Sequence, residues 1–212
     1  MSTFYEYLIE EFGYDEPILV QDVVMKTGDS QGTVRQRLRR LAQDDKLIRV
    51  QNGIYFIPSK KSKFGKPIID PKKVLNKKYL YRANQVSGYQ SGPNFGNRLG
   101  LTTQTASVQT IVTNEASRYQ RIVQIYNNKI IIKKPRVAVT ERNYKFLQVL
   151  DLLNDFDDYS EKTLQSSKDT IASYLKDIDL TTEERKEIIT YYPMKTQIRA
   201  YEVGVTQSEV TQ

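Results

Sequence analysis

A chain of 212 residues carrying a net charge of +7 can bury one sizeable core or two smaller ones. With 0 His and 0 Cys it has no disulfide, no thiolate site, none of the usual zinc ligands and no Ser-His or Cys-His nucleophile, so neither a metal nor a cofactor is expected. No apolar run approaches the ~18 residues of a membrane span, and the acidic, amphipathic opening MSTFYEYLIEEFG is unlike a secretion leader; a soluble, cytoplasmic protein with no membrane contact is expected.

In chain order, Pro17 to Gly28 reads as a short helix ending at a glycine cap, with Ile18, Val20, Val23 and Val24 buried. After Asp29 or Ser30 as N-cap, Val34, Leu38 and Leu41 recur at i, i+4 and i+7 and predict a helix over 33–43 with one narrow apolar stripe. Its opposite side carries Gly32, Gln36, Arg39, Arg40 and Gln43, flanked by Thr33, Arg35 and Arg37. Arginine and glutamine have forked donors and acceptors that match guanine and adenine edges in the major groove. Two β-prone runs follow, Leu47 to Val50 and Ile54 to Ile57, across Asn52-Gly53, a pair suited to the two positive-φ positions of a type I′ turn. Helix, turn, helix and hairpin in that order predict a winged helix-turn-helix. Gln31, Thr33, Arg35, Gln36, Arg39 and Arg40 would then enter a DNA groove, and Arg49, Gln51 and Asn52 on the wing would reach phosphates or the minor groove.

Charge is unevenly distributed. Residues 1–58 hold 7 Lys+Arg against 9 Asp+Glu, residues 59–136 hold 16 against 2, and residues 137–212 hold 9 against 14. The middle is the electrostatic centre, and it opens with SKKSKFGKPIIDPKKVLNKK, read as a basic linker over 59–78 in which Lys60, Lys61 and Lys63 lie beside the wing on phosphates. Beyond it, Ser107 to Thr113, Arg121 to Tyr126 and Lys129 to Lys134 are β-prone, the last two joined at Asn127-Asn128. Arg118, Arg121, Lys129, Lys133, Lys134 and Arg136, with Tyr119 and Tyr126, form a basic, aromatic face open to nucleic acid or to an acidic protein patch.

From Glu141 the pattern is helical. Phe146, Leu147, Val149, Leu150, Leu153 and Phe156 define one helix, and Leu164, Ile171, Leu175 and Ile178 a second. Thr181 and Glu184 form a capping box opening a third, Pro193 precedes a last helix with Ile198, Tyr201 and Val203, and the end TQSEVTQ has little to bury. The whole predicts an α+β protein: a winged helix-turn-helix over 1–58, the linker over 59–78, and over 79–212 a mixed α/β domain with a small β-sheet and a helical C-terminal part. The carboxylates Asp155, Asp157, Asp158 and Glu161 sit between helices as a solvated loop, and Thr102, Thr103 and Ser107 have no visible base, so no enzymatic constellation is present.

The segment SGYQSGPNFGNRLGLTTQTASVQTIVTN, with Ser87-Gly88-Tyr89, the core Leu99-Gly100-Leu101-Thr102-Thr103-Gln104 and a following strand ending at Thr113, resembles the AbiEi antitoxin family of AbiE-type (type IV) toxin-antitoxin and abortive-infection systems. Tyr192-Pro193 before a terminal helix is similar too, so the resemblance runs from about Ile18 to about Val203. It departs from that family at Pro93 to Arg98, where a small residue usually precedes the leucine-glycine pair. The resemblance implies a DNA-binding antitoxin that represses its own operon at an inverted repeat and counteracts a cognate nucleotidyltransferase toxin, conferring phage resistance. Two other readings of the residues stand beside it: a winged-helix protein-interaction module, and an RNA-binding protein using the basic, Tyr-rich middle.

Overall fold

The computed structural model describes residues 3–59 and 65–207, and Lys60, Lys61 and Lys63 lie outside them. The fold is mixed α+β. It divides into two units, residues 1–78 with the hairpin tip 125–128, and residues 79–124 with 129–212.

The first unit starts with α1 (Phe4–Phe12), entered through a capping box in which Thr3 and Glu6 satisfy each other's backbone N–H groups. Then come β1 (Ile18–Leu19), α2 (Val20–Thr27), α3 (Gln31–Gln43) and the hairpin β2 (Ile48–Gln51) and β3 (Ile54–Phe56). The expected helix over Pro17 to Gly28 is therefore shorter. Ile18 and Leu19 are extended and pair antiparallel with Tyr55 and Ile54, giving a three-stranded sheet in the order β1-β3-β2. Gly28 ends α2 in the left-handed conformation, as its sequence position indicates. The β2–β3 turn is not type I′, because Gly53 has φ +78° but Asn52 is not in the left-handed region. A register shift between Arg49 and Gln51 instead adjusts the hairpin's twist. Leu8, Ile18, Val23, Val34, Leu38 and Ile57 are fully buried in one core.

Within the segment expected as a linker, residues 71–78 are helical. Asp70 caps α4 (Pro71–Leu75) through Lys72 N–H, and a π-helical turn runs on through Asn76–Leu80. Ile69 and Val74 are buried, while Lys73 pairs with Glu16 and Lys77 with Asp22. Apolar residues at 69, 74 and 75 supply the burial that a composition-based reading of the lysines overlooks.

The second unit contains a two-stranded ribbon, β4 (Tyr81–Arg82) and β5 (Gln85–Val86), and a four-stranded sheet of β6 (Gly88–Ser91), β7 (Gln109–Thr113), β8 (Gln120–Ile125) and β9 (Asn128–Lys133) in the order β6-β7-β9-β8. β6 and β7 are antiparallel, β7 and β9 parallel. Gly88 is required by close approach, since a Cβ there would lie 2.2 Å from Tyr79 O and 2.8 Å from Thr113 Cβ. The β8–β9 turn falls one residue earlier than expected, at Tyr126-Asn127, with Tyr126 at φ +49° and Asn128 already in β9. The departure at Pro93 to Arg98 forms a helix, α5 (Pro93–Arg98), with Phe95 fully buried.

Five further helices complete the unit: α6 (Tyr144–Asn154), α7 (Phe156–Tyr159), α8 (Leu164–Leu175), α9 (Thr182–Thr190) and α10 (Met194–Glu202). α6 contributes Phe146, Leu147, Val149, Leu150, Leu152 and Leu153 to the core and is central to it. Phe156 belongs to α7 and Ile178 lies past α8, so two of the expected helices end sooner than their apolar spacing suggests. The Thr181–Glu184 capping box opens α9 as expected. In the expected frayed end, Thr206 is buried and Gln207 O accepts from Arg185, so order extends to 207; 208–212 lie outside the described residues. Among the described residues, no helix is long and apolar enough to cross a membrane.

Candidate nucleic-acid interface

α3 begins where Ser30 Oγ accepts from Thr33 N–H at 3.2 Å, and Ser30 Oγ and Thr33 Oγ1 are 2.9 Å apart. Thr33 is thereby committed to the cap, although sequence spacing had placed it among the base-facing residues. Val34 and Leu38 anchor the helix with no exposed surface, and Leu41 is half-buried. This fixes the rotation of α3, so Gln31, Gly32, Arg35, Gln36, Arg39, Arg40 and Gln43 are all exposed.

The arginines of α3 divide into two sets. Arg37 donates to Asp29 Oδ2 at 2.7 Å and its guanidinium lies 5.3 Å from the Phe4 ring centroid, so it ties α3 to its own cap and to α1. The side chains of Arg35, Arg39 and Arg40 make no hydrogen bond, ion pair or ring contact among the described residues. Three always-charged forks thus project from one rigid helix with their donors available. On the hairpin, Arg49 donates to Asn52 Oδ1 at 3.2 Å, which brings two of the three expected wing residues together at the turn; Gln51 is half-buried. The hairpin is braced from behind, because Val20 N–H donates to Gly53 O at 3.1 Å and β1 pairs with β3.

The six basic residues expected on one face of the second unit do not all share it. Along β8, exposed Gln120, Ile122 and Gln124 alternate with half-buried Arg121 and Val123, so Arg121 is on the opposite side of the strand from Ile122. Arg118, Lys129, Lys134 and Arg136 are exposed and Lys133 half-buried, and Arg136 lies over the Tyr192 ring at 5.3 Å. Tyr126 is in the first unit, where its hydroxyl accepts from Ile69 N–H.

A polar cluster that sequence reading passed over lies in the second unit. Asp151, on α6, accepts from Tyr89 Oη at 2.8 Å and from Tyr192 Oη at 3.2 Å. Both rings are buried, and desolvation raises the Asp151 carboxyl to about 6 against the lowering effect of the two phenols, Lys133 and Arg136. Burial, with the adjacent carboxylate, holds both phenols well above their usual range. A small cavity of about 70 Å³ opens beside it, bounded by Ser91, Tyr119, Lys133, Arg136 and Asn154. The signal was available in principle, as an acid inside the run FLQVLDLL.

The acidic cluster is not the solvated loop expected, since Asp157 and Asp158 lie on α7, and Asp157 and Glu161 are engaged within the unit. Glu161 accepts from Thr102 Oγ1 at 2.8 Å and from Thr103 N–H and Oγ1, which draws the carboxyl below its usual range, and Asp157 pairs with Arg199 and Lys195. Among the described residues no group of three or more potential ligands is arranged to hold a metal.

No curated protein matches the chain. A family model matches residues 12–177, which takes in α2, α3, all the strands and the helices through α8. The chain therefore belongs to the family described as "Family of unknown function (DUF6088)".

Proposed function

We propose that the chain is a DNA-binding antitoxin of the AbiE type, which represses its own operon through a winged helix-turn-helix at residues 1–58 and counteracts a nucleotidyltransferase toxin. The observation that carries the DNA reading is the outward face of α3, where Arg35, Arg39 and Arg40 have no partner among the described residues and stand beside Gln31 and Gln36. Support also comes from the element order α1, β1, α2, α3, β2, β3, in which a third strand braces a hairpin following the candidate recognition helix. The antitoxin part rests on the resemblance at Ser87 to Thr113.

In this reading α3 lies in the major groove with Gln31, Gln36, Arg39 and Arg40 at base edges, while Arg35 and the Arg49–Asn52 tip meet backbone or minor groove. Two copies would occupy an inverted repeat. Arg37 is excluded from readout because its guanidinium is already engaged. The test is a gel-shift titration on DNA from the chain's own promoter with the double variant Arg39→Ala/Arg40→Ala. Removing each arginine that reads a base should weaken binding by about 1–3 kcal/mol. Unchanged affinity with an intact fold overturns the DNA assignment. The neighbouring gene tests the other half: absence of a nucleotidyltransferase reading frame there, or growth arrest by its product that this chain fails to relieve, removes the antitoxin role.

A further inference from the structure

β8 is an edge strand, since the sheet order β6-β7-β9-β8 leaves it with β9 as its one neighbour. Lys134 N–H donates to Tyr119 O at 2.9 Å, and the two strands join through a two-residue turn, so they run antiparallel. In such a pair bonded positions recur at every second residue. Tyr119, Arg121 and Val123 therefore turn their backbone groups toward β9, and Gln120 and Ile122 turn theirs outward. Protected edges carry an inward charge, a proline or a covering element. This one carries a single charge on its inner side, half-buried Arg121, and leaves Ile122 at its centre 67% exposed on the other side.

The surroundings state what would fit. Between residues 116 and 140 there are six Lys or Arg and no Asp or Glu, and none of these six forms an ion pair among the described residues. A lone hydrophobic edge invites self-association, but a second copy would bring the same cations face to face. A strand rich in carboxylates would be attracted.

We propose that β8 is the docking edge for an extended, acidic segment of a partner protein, which adds to the sheet as a further strand. Main-chain bonds at Gln120 and Ile122 would hold the segment, the Ile122 side chain would meet one apolar residue, and Arg118 and Lys129, on the same side of the sheet as Ile122, would meet carboxylates flanking it. This goes beyond the DNA reading of α3, since α3 and its hairpin play no part in it.

The experiment uses the full chain and an eight-residue, fluorescently labelled peptide with glutamate, valine, glutamate and glutamate at alternate positions and threonine between them, read by anisotropy. Three controls accompany it: the same peptide N-methylated at alternate residues, a lysine-for-glutamate peptide, and a single-stranded oligonucleotide. The acidic peptide should bind, the N-methylated form should bind at least tenfold more weakly, the basic peptide should not bind, and Ile122→Asp should weaken the acidic peptide at least tenfold while α3-dependent DNA binding is retained. Equal binding of the N-methylated and parent peptides would mean that charge alone acts, and overturns strand addition whatever the behaviour of the Ile122 variant. Binding of the oligonucleotide without the acidic peptide overturns the protein partner and makes this face a nucleic-acid surface.

Discussion

Among the described residues, the first unit buries one charged or polar side chain, Asp22, and the second buries eleven, including Gln148, Arg185, Ser167 and Thr196. The first unit's core is aliphatic and aromatic carbon, and its arginines are on the surface. The second spends its polar groups inside, where Gln148 bonds to Gln90 O and Tyr174, Arg185 to the carbonyls of Leu180, Val205 and Gln207, and Asp151 to two tyrosines. An apolar core permits many repackings, whereas a satisfied polar network admits few alternatives. The first unit is thus suited to presenting a surface, and the second to holding one internal arrangement.

The largest test of this contrast is Phe146→Ala. Phe146 is fully buried on α6 with the Arg185 guanidinium 5.9 Å from its ring, so truncation should cost about 3–5 kcal/mol in urea unfolding. A loss below about 1 kcal/mol would show that the second unit tolerates repacking after all.

A smaller effect comes from Asp151. Folding raises its carboxyl to about 6, so the protonated form is favoured in the folded state and this contribution to stability appears as pH falls through 6 and is lost as pH rises through it. From pH 7.5 toward 4 the contribution should reach roughly 2–3 kcal/mol. Glu161, Asp157 and Glu184 act oppositely, because their hydrogen bonds and ion pairs lower them and their stabilisation disappears on further acidification. The expected profile therefore rises from neutral pH, peaks, and falls in acid, and Asp151→Asn should abolish the rising limb. An unaltered limb in that variant would remove Asp151 as its source.

On the first unit, Ser30→Ala removes the α3 cap and should cost about 1 kcal/mol, by thermal melting. Arg37→Ala gives up an exposed ion pair and a ring contact, and should cost about 0.5–1 kcal/mol while leaving DNA affinity nearly unchanged. A large affinity loss for Arg37→Ala would show that the division between bracing and projecting arginines on α3 is wrong.

Legibility followed distance along the chain. Ser30 as cap, Gly28 as helix end, the Val34–Leu38 stripe and the Thr181–Glu184 box are determined by residues within a turn or two, and sequence periodicity captures them. Ile18 and Leu19 were misread because their strand exists only through Tyr55 and Ile54. The lysine segment concealed a helix because its charges are local while the burial of Val74 depends on remote packing. The turn at Tyr126 put an aromatic where Asn was expected, a substitution that tertiary context can impose. Of the candidate site, the exposure of α3's arginines was legible from the helical wheel, but Thr33's use in the cap and Arg37's in bracing were not. The Asp151 cluster assembles residues from β6, α6 and the α9–α10 junction, and no local pattern announces it.

The parallel pairing of β7 with β9 also has a consequence for synthesis. Tyr89 and Val112 are paired across β6 and β7, and the core they share with α6 cannot close until Tyr144–Asn154 has been made. At about 5–20 residues per second, translation from β7 to the end of α6 takes ~2–8 s, during which a nascent sheet exposes its apolar side. Slow codons would lengthen that interval and a chaperone-depleted cell would leave it unguarded, making the yield of native protein depend on the pace of the ribosome between β7 and α6.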